Sequence, residues 1–233
     1  MVKFISENAP ITNKKKLKQR EQRLRGVGQI RRADVPVDGP DMTIRLPQRQ
    51  ALILIGFMGA GKSTVGRVLA GRLGWTFEDL DDRIERREKQ KIADIFRDAG
   101  EVGFRRAEFG ALKELLEELQ SGSEKVIALG GGAFVQEPNI RLIEGAKIPT
   151  IFLDAGVEEL WGRCQRQWEG QGVERPLLGS SEGFGGLYET RRPHYLRASF
   201  RQETDGKSIE QIAGELIQGL ALVDGDRGKE KTK

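Results

Sequence analysis

One cysteine and one histidine in 233 residues remove much of the usual catalytic repertoire. Cys164 alone cannot form an internal disulfide, and there is no CxxC pair for a metal or a dithiol couple. The lone His194 cannot supply HExxH, a Ser-His-Asp set or the HRD loop of a protein kinase, so any general base is expected to be a carboxylate. Long apolar runs are missing too, since none approaches the roughly 18 residues a membrane-spanning helix needs. Nor does an apolar signal-peptide core follow the N-terminus, where Lys14, Lys15, Lys16 and Lys18 stand instead. The expectation is a soluble protein of a reducing cytoplasm, without a membrane partner.

Charge is unevenly spread. Residues 1–50 carry 12 Lys and Arg against 5 Asp and Glu, whereas residues 51–233 carry 27 against 30, so the net charge of +4 originates in the N-terminal extension. Residues 1–48 are polar and broken by Pro36, Asp38-Gly39-Pro40 and Pro47, which reads as a basic, disordered extension with at most a short helix over 17–25. No helix-turn-helix is recognisable there, so nucleic acid is not the expected partner. Met42 opens a segment that runs almost straight into the first strand and offers a second translation start, which the intact mass of the native protein would test.

From residue 51 the pattern alternates between short apolar runs and amphipathic stretches. Strands are predicted over 51–55, 75–79, 125–129, 149–153 and 199–204. Helices are predicted near 62–73, 81–97, 101–121, 137–145, 156–168, 183–198 and 208–222. This order implies one α/β domain, spanning 49–224, with a five-stranded parallel sheet covered on both faces by helices. Residues 169–186, rich in glycine, have the size of a mobile lid, and 225–233 form a charged tail. In such sheets the ligand lies at the carboxyl ends of the strands.

The first strand, Ala51-Leu52-Ile53-Leu54-Ile55, is followed by Gly-Phe-Met-Gly-Ala-Gly-Lys-Ser-Thr, Gly56 to Thr64, a complete GxxxxGK[ST] sequence. Val65, Val68, Leu69 and Leu73 then mark the buried face of a helix. The glycines let backbone N–H groups, Gly59, Ala60 and Gly61 among them, curl around a phosphate chain at the helix start; Lys62 reaches the outer phosphates, and the Ser63 hydroxyl reaches magnesium. The chain is therefore expected to bind a nucleoside triphosphate.

Other strand ends carry further candidates. Asp79 and Asp81, two apart in extended chain, point different ways, so one can serve the metal while the other takes an acceptor hydroxyl's proton. Asp154 competes with them for the metal, and helix capping is the plain alternative for Asp79 to Asp82. Gly130-Gly131-Gly132 after the third strand fits either a ligand ring lying on the backbone or a tight turn. Arg105 and Arg191 suit an anion, whereas Arg106 and Arg192 are read as solvated helix-face residues. Arg175, in the lid, can swing onto a transferring phosphoryl group.

Taken together, these residues resemble the shikimate kinases, small-molecule kinases of the P-loop nucleoside-monophosphate-kinase fold. The likeness covers about 51–222 and rests on an ordered set: GFMGAGKST, Phe77-x-Asp79-x-Asp81, Ile92 to Phe96, Gly100-Glu101-x-x-Phe104-Arg105, the triple glycine, Arg175-Pro176-Leu177-Leu178 and Arg191-x-Pro193-x-Tyr195. The resemblance implies a three-layer kinase fold and magnesium-dependent transfer from ATP to the 3-hydroxyl of shikimate, in aromatic amino-acid biosynthesis. It implies that Lys62, Thr64 and the loop bind ATP, that Ser63 and Asp79 serve magnesium, and that Asp81 is the base. Arg105 and Arg191 would grip the shikimate carboxylate, with Glu108 orienting Arg105 and Gly131 lining the ring pocket. Arg175 would act from the lid, while Arg163 and Lys207 would flank the adenine. A monomer is expected. His194 stands where such kinases commonly carry leucine, and the Arg163 to Arg175 spacing is longer than is usual. A kinase of another carboxylated polyol, such as gluconate, is the alternative enzyme; a metabolite-sensing, non-catalytic relative is the alternative of another class.

Overall fold

The computed structural model describes residues 51–171 and 180–219. The expected N-terminal extension, the C-terminal tail, Arg175 and the middle of the expected lid lie outside them.

Five strands form one sheet: β1 Ala51–Ile55, β2 Thr76–Asp79, β3 Lys125–Ala128, β4 Thr150–Asp154 and β5 Phe200–Glu203. Every pairing is parallel and the spatial order is β2-β3-β1-β4-β5. The helices among the described residues are α1 Lys62–Leu73, α2 Leu80–Glu88, α3 Ile92–Glu118, α4 Glu137–Ala146, α5 Val157–Gln171, α6 Ser181–Tyr195 and α7 Ile209–Gly219. None of them is long and apolar enough to cross a membrane.

The central position of β1 explains its composition. All five of its residues are buried, because helices cover both faces of a parallel sheet and leave no side for a polar residue. Register then sets the site. Leu54 of β1 and Asp79 of β2 both pair with Ala128 of β3, so these three strands end level with one another. The loop after β1, the acidic residues after β2 and the glycines after β3 therefore emerge side by side.

Two helices differ from the expected boundaries. The stretch read as one helix over 81–97 is broken: Lys89, at φ 54°, turns the chain left-handed at the end of α2, and α3 starts only three residues later. A tertiary contact makes the break, since the Glu85 carboxylate accepts from the Ile92 backbone N–H at 3.1 Å and pairs with Lys91 at 2.7 Å. The expected separation near residue 100 is present as a kink within α3, where Gly100 leaves helical geometry with φ 64° and ψ −171° and divides the element into two helical arms. Helix α5 extends to Gln171 and α6 begins at Ser181, whose N-cap Ser180 accepts from the Gly183 N–H. Both helices thus reach into the stretch 169–186 expected as a lid.

Candidate active site

The loop after β1 is shaped by close packing. Gly56 has φ 146°, and a Cβ there would stand 2.8 Å from the Leu153 carbonyl oxygen; at Gly59 it would stand 2.7 Å from the Leu160 carbonyl oxygen and 2.9 Å from Cys164 Sγ. Helix α1 begins at Lys62 without a side-chain cap, so its first N–H groups face the loop's concavity. Lys62 Nζ donates to the carbonyls of Gly56 and Phe57, both at 3.0 Å. Burial pushes its pKa below the ordinary value, against the opposing pull of Asp81 and Asp79. A cavity of about 670 Å³ opens from Gly59 to Thr64 toward Arg163 and Lys207. Arg163 forms its far wall, held by Glu159 Oε1 at 2.8 Å and the Thr204 carbonyl at 3.0 Å, while Lys207 pairs with Glu215 at 2.6 Å.

Ser63 Oγ donates to Asp79 Oδ2 at 2.6 Å, and the other Asp79 oxygen caps α2 by accepting from the Asp81 N–H at 3.0 Å. Among the described residues no group of three or more His, Cys, Asp and Glu side chains could hold a metal. Such a cluster is not what magnesium needs beside a nucleotide, where it takes most of its ligands from phosphates and water and only one or two from protein oxygens. The adjoining hydroxyl and carboxylate of Ser63 and Asp79 fit that requirement.

Beyond the phosphate loop, the triple glycine gathers the remaining charged groups. A Cβ on Gly130 would lie 2.5 Å from Asp81 Oδ1, one on Gly131 3.8 Å from Arg191 Nη1, and one on Gly132 2.8 Å from Arg105 Nη2. Three side chains from α2, α3 and α6 are thus laid against one stretch of bare backbone. The same Gly131 position lies 3.6 Å from the Met58 N atom, so this turn and the phosphate loop abut. Of the two readings the sequence leaves open for the glycines, the tight turn is present, the Ala133 N–H donating to the Gly130 carbonyl at 3.0 Å, and the protein's own side chains lie against it.

Each charged group is steered. Glu108, 1% exposed, receives Arg105 Nη1 on both oxygens at 3.0 and 3.1 Å and Asn139 Nδ2 at 3.2 Å. Burial raises the Glu108 pKa, and Arg105 opposes that rise. Burial, and next the negative charge of Asp79, raise Asp81 to about 6, with Lys62 pulling the other way. Arg191 stacks over the Phe57 ring, its guanidinium carbon 5.9 Å from the centroid, and the buried Tyr195 hydroxyl donates to the Gly131 carbonyl.

The residues expected to act on phosphate, magnesium and acceptor therefore lie together, apart from Arg175, which is outside the described residues. Asp154, the rival metal candidate, is turned away from that duty: it is buried and accepts from Arg192 Nη2 at 3.1 Å and Arg201 Nε at 2.7 Å. Arg192 is accordingly not the solvated residue expected, whereas Arg106 is exposed. Sequence reasoning gave no role to Phe57, Asn139 or Tyr188. Of these only Phe57 had a local signal, its place inside the phosphate loop.

Comparison with known proteins identifies the family. Residues 58–221 match the family model described as shikimate kinase. A shikimate kinase of Persephonella marina is 38% identical over 167 residues, covering 71% of this chain and 96% of its own length. One from Thermus thermophilus is 39% identical over 170 residues, covering 72% and 88% respectively. Among solved structures, the shikimate kinase of Acinetobacter baumannii in complex with shikimate superposes with a TM-score of 0.64 at 35% identity, covering 76% of this chain and 97% of that one. A gluconokinase from Sinorhizobium meliloti, 19% identical with a TM-score of 0.50, shares the fold alone. The chain belongs to the shikimate kinase family.

Proposed function

We propose that the chain transfers the γ-phosphoryl group of ATP to the 3-hydroxyl of shikimate. The observation that carries this reading is the meeting of Asp81, Arg105 and Arg191 on the glycine turn that abuts the phosphate loop. An acceptor with one carboxylate and several hydroxyls matches two guanidinium groups and one acid. Asp81 accepts the proton of the reacting hydroxyl, Lys62 neutralises charge on the transferred group, and the α1 N-terminus holds the phosphates. Arg163 and Lys207 face the nucleoside end of the cavity, and Arg175 supplies a further cation from the lid. Magnesium, held by Ser63 and Asp79, would neutralise charge on the phosphate oxygens. All these groups come from one chain, which supports action as a monomer, and dependence on ATP points to the cytoplasm.

A panel of acceptors, read by coupled ADP detection on the full chain and on one starting at Met42, tests the reading. Turnover with shikimate and none with gluconate is expected; gluconate as the sole acceptor would refute it, and so would no turnover with any acceptor, which the sensing alternative requires. In the same assay Arg105→Ala and Arg191→Ala are each expected to raise the KM for shikimate about 10- to 100-fold, the worth of a charge-assisted hydrogen bond. The KM for ATP should hold. Unchanged shikimate requirements in both variants would remove the carboxylate clamp.

Asp81 also sets a pH profile. The base acts only when deprotonated, and its free-protein pKa of about 6 means that kcat/KM rises with pH through that region and is level above it. A limb centred above pH 7 would exclude Asp81 as its source.

A further inference from the structure

Helix α6 carries Arg191, yet its last turn is weakened from within, because Pro193 lies inside it and has no N–H to donate to the backbone. What holds this helix in place is external. On the side facing the sheet, Asp154 at the end of β4 is 4% exposed in its side chain and accepts Arg192 Nη2 at 3.1 Å. The Tyr188 hydroxyl lies 3.1 Å from the other Asp154 oxygen, and Arg192 Nε donates to that hydroxyl, also at 3.1 Å. One buried carboxylate thereby grips two residues one turn apart on α6.

Neighbouring residues on an α-helix leave it about 100° apart. With Arg192 tied to Asp154, the direction in which Arg191 leaves the helix is fixed, and in this structure it runs across Phe57 toward Gly131. A second link from Asp154 goes elsewhere: Arg201 Nε, on β5, donates to the same carboxylate at 2.7 Å, and its other ion pair is with Glu203, not with α6. The site thus has an internal control, one arginine that connects Asp154 to the helix and one that does not.

We propose that Asp154 is a positioning residue for acceptor binding: by holding Arg192 and Tyr188 it sets the rotation of α6 and so the aim of Arg191. This rests on the reading of Arg191 as a carboxylate clamp. Asp154 neither meets substrate nor takes part in phosphoryl transfer; it acts through the helix. The effect falls first on shikimate affinity, since α6 meets the phosphate loop at the Phe57 ring while Arg191 itself reaches on toward Gly131.

Steady-state kinetics on the full chain test this, with Asp154→Asn, Arg192→Gln, Arg201→Gln, Arg191→Ala and the double variant Arg192→Gln with Arg191→Ala. A misaimed binding group costs about tenfold or more, so Arg192→Gln and Asp154→Asn should each raise the shikimate KM by at least that factor. In Arg192→Gln, kcat and the KM for ATP should stay within about twofold, and in the Arg191→Ala background Arg192→Gln should add no further change. Arg201→Gln should leave the shikimate KM alone. If Asp154→Asn proves too unstable to assay, Arg192→Gln, on a half-exposed side chain, still decides the matter. An Arg192→Gln effect that persists without Arg191, that falls equally on both substrates, or that Arg201→Gln reproduces would reduce Asp154 to a purely structural residue and overturn the proposal. An unchanged shikimate KM in Arg191→Ala would instead sink the clamp reading, and this proposal with it.

Discussion

Lys62→Ala is expected to lower kcat about a thousandfold at saturating ATP and shikimate, the scale of losing one preorganised charge from a phosphoryl-transfer site. Position makes the loss large. The ammonium lies under the phosphate loop between Gly56 and Phe57 and is coupled to Asp81, so it bridges the nucleotide side and the acceptor side. Its displaced pKa shows that the fold places a charge where burial disfavours it. Alanine relieves that penalty while forfeiting two hydrogen bonds to loop carbonyls. The melting temperature should therefore change little while turnover collapses. Single-turnover measurement separates chemistry from product release; a Lys62→Ala chain within about tenfold of the parent in that step would show that the loop's N–H groups suffice.

Asp81→Asn is the second large effect, about 100- to 10,000-fold in kcat, the range that a positioned general base contributes. Shape and one acceptor oxygen are kept, so acceptor binding should survive, and a thermal shift on adding shikimate would report it. The same substitution has an opposite consequence for stability. Asp81 titrates at about 6 against an ordinary 3.8, so the folded chain binds that proton more tightly than the unfolded one, and stability falls as pH rises between those values. Asparagine removes the titrating charge. In chelator-treated, ligand-free protein, denaturant unfolding at pH 7 should show Asp81→Asn more stable than the parent by about 1 to 3 kcal/mol, the gain disappearing below about pH 4. A variant less stable than the parent at pH 7 would mean that the carboxylate makes a favourable contact outweighing its burial.

Much of this was legible because the phosphate loop is a local device: strand, glycine turn and helix follow one another within about two dozen residues, and each advertises itself by period or by glycine. Asp81 and the two arginines were legible singly, as a base and as anion partners, but their convergence only as members of an ordered set, since nothing in a linear chain says that positions 81, 105 and 191 meet. The spatial strand order did that, and neighbouring strands need not be consecutive in sequence. Where sequence reasoning failed on a side chain's role, the partner was distant. Arg192 finds its carboxylate 38 residues upstream, in Asp154, which like Asp79 stands at the end of a strand but is occupied by arginines. Asn139 reaches Glu108 across 31 residues. The missed break at Lys89 followed from Glu85 capping the next helix, a contact that helical periodicity does not reveal.

The three consecutive glycines have a bearing on inhibition. A compound resting there would meet peptide groups instead of side chains, and the gene cannot reshape a peptide group by point mutation. A Cβ at Gly130 or Gly132 would crowd the Asp81 carboxylate or the Arg105 guanidinium, whereas Gly131 has room for one. Escape through Gly130 or Gly132 would therefore displace the two groups proposed to deprotonate and hold the acceptor.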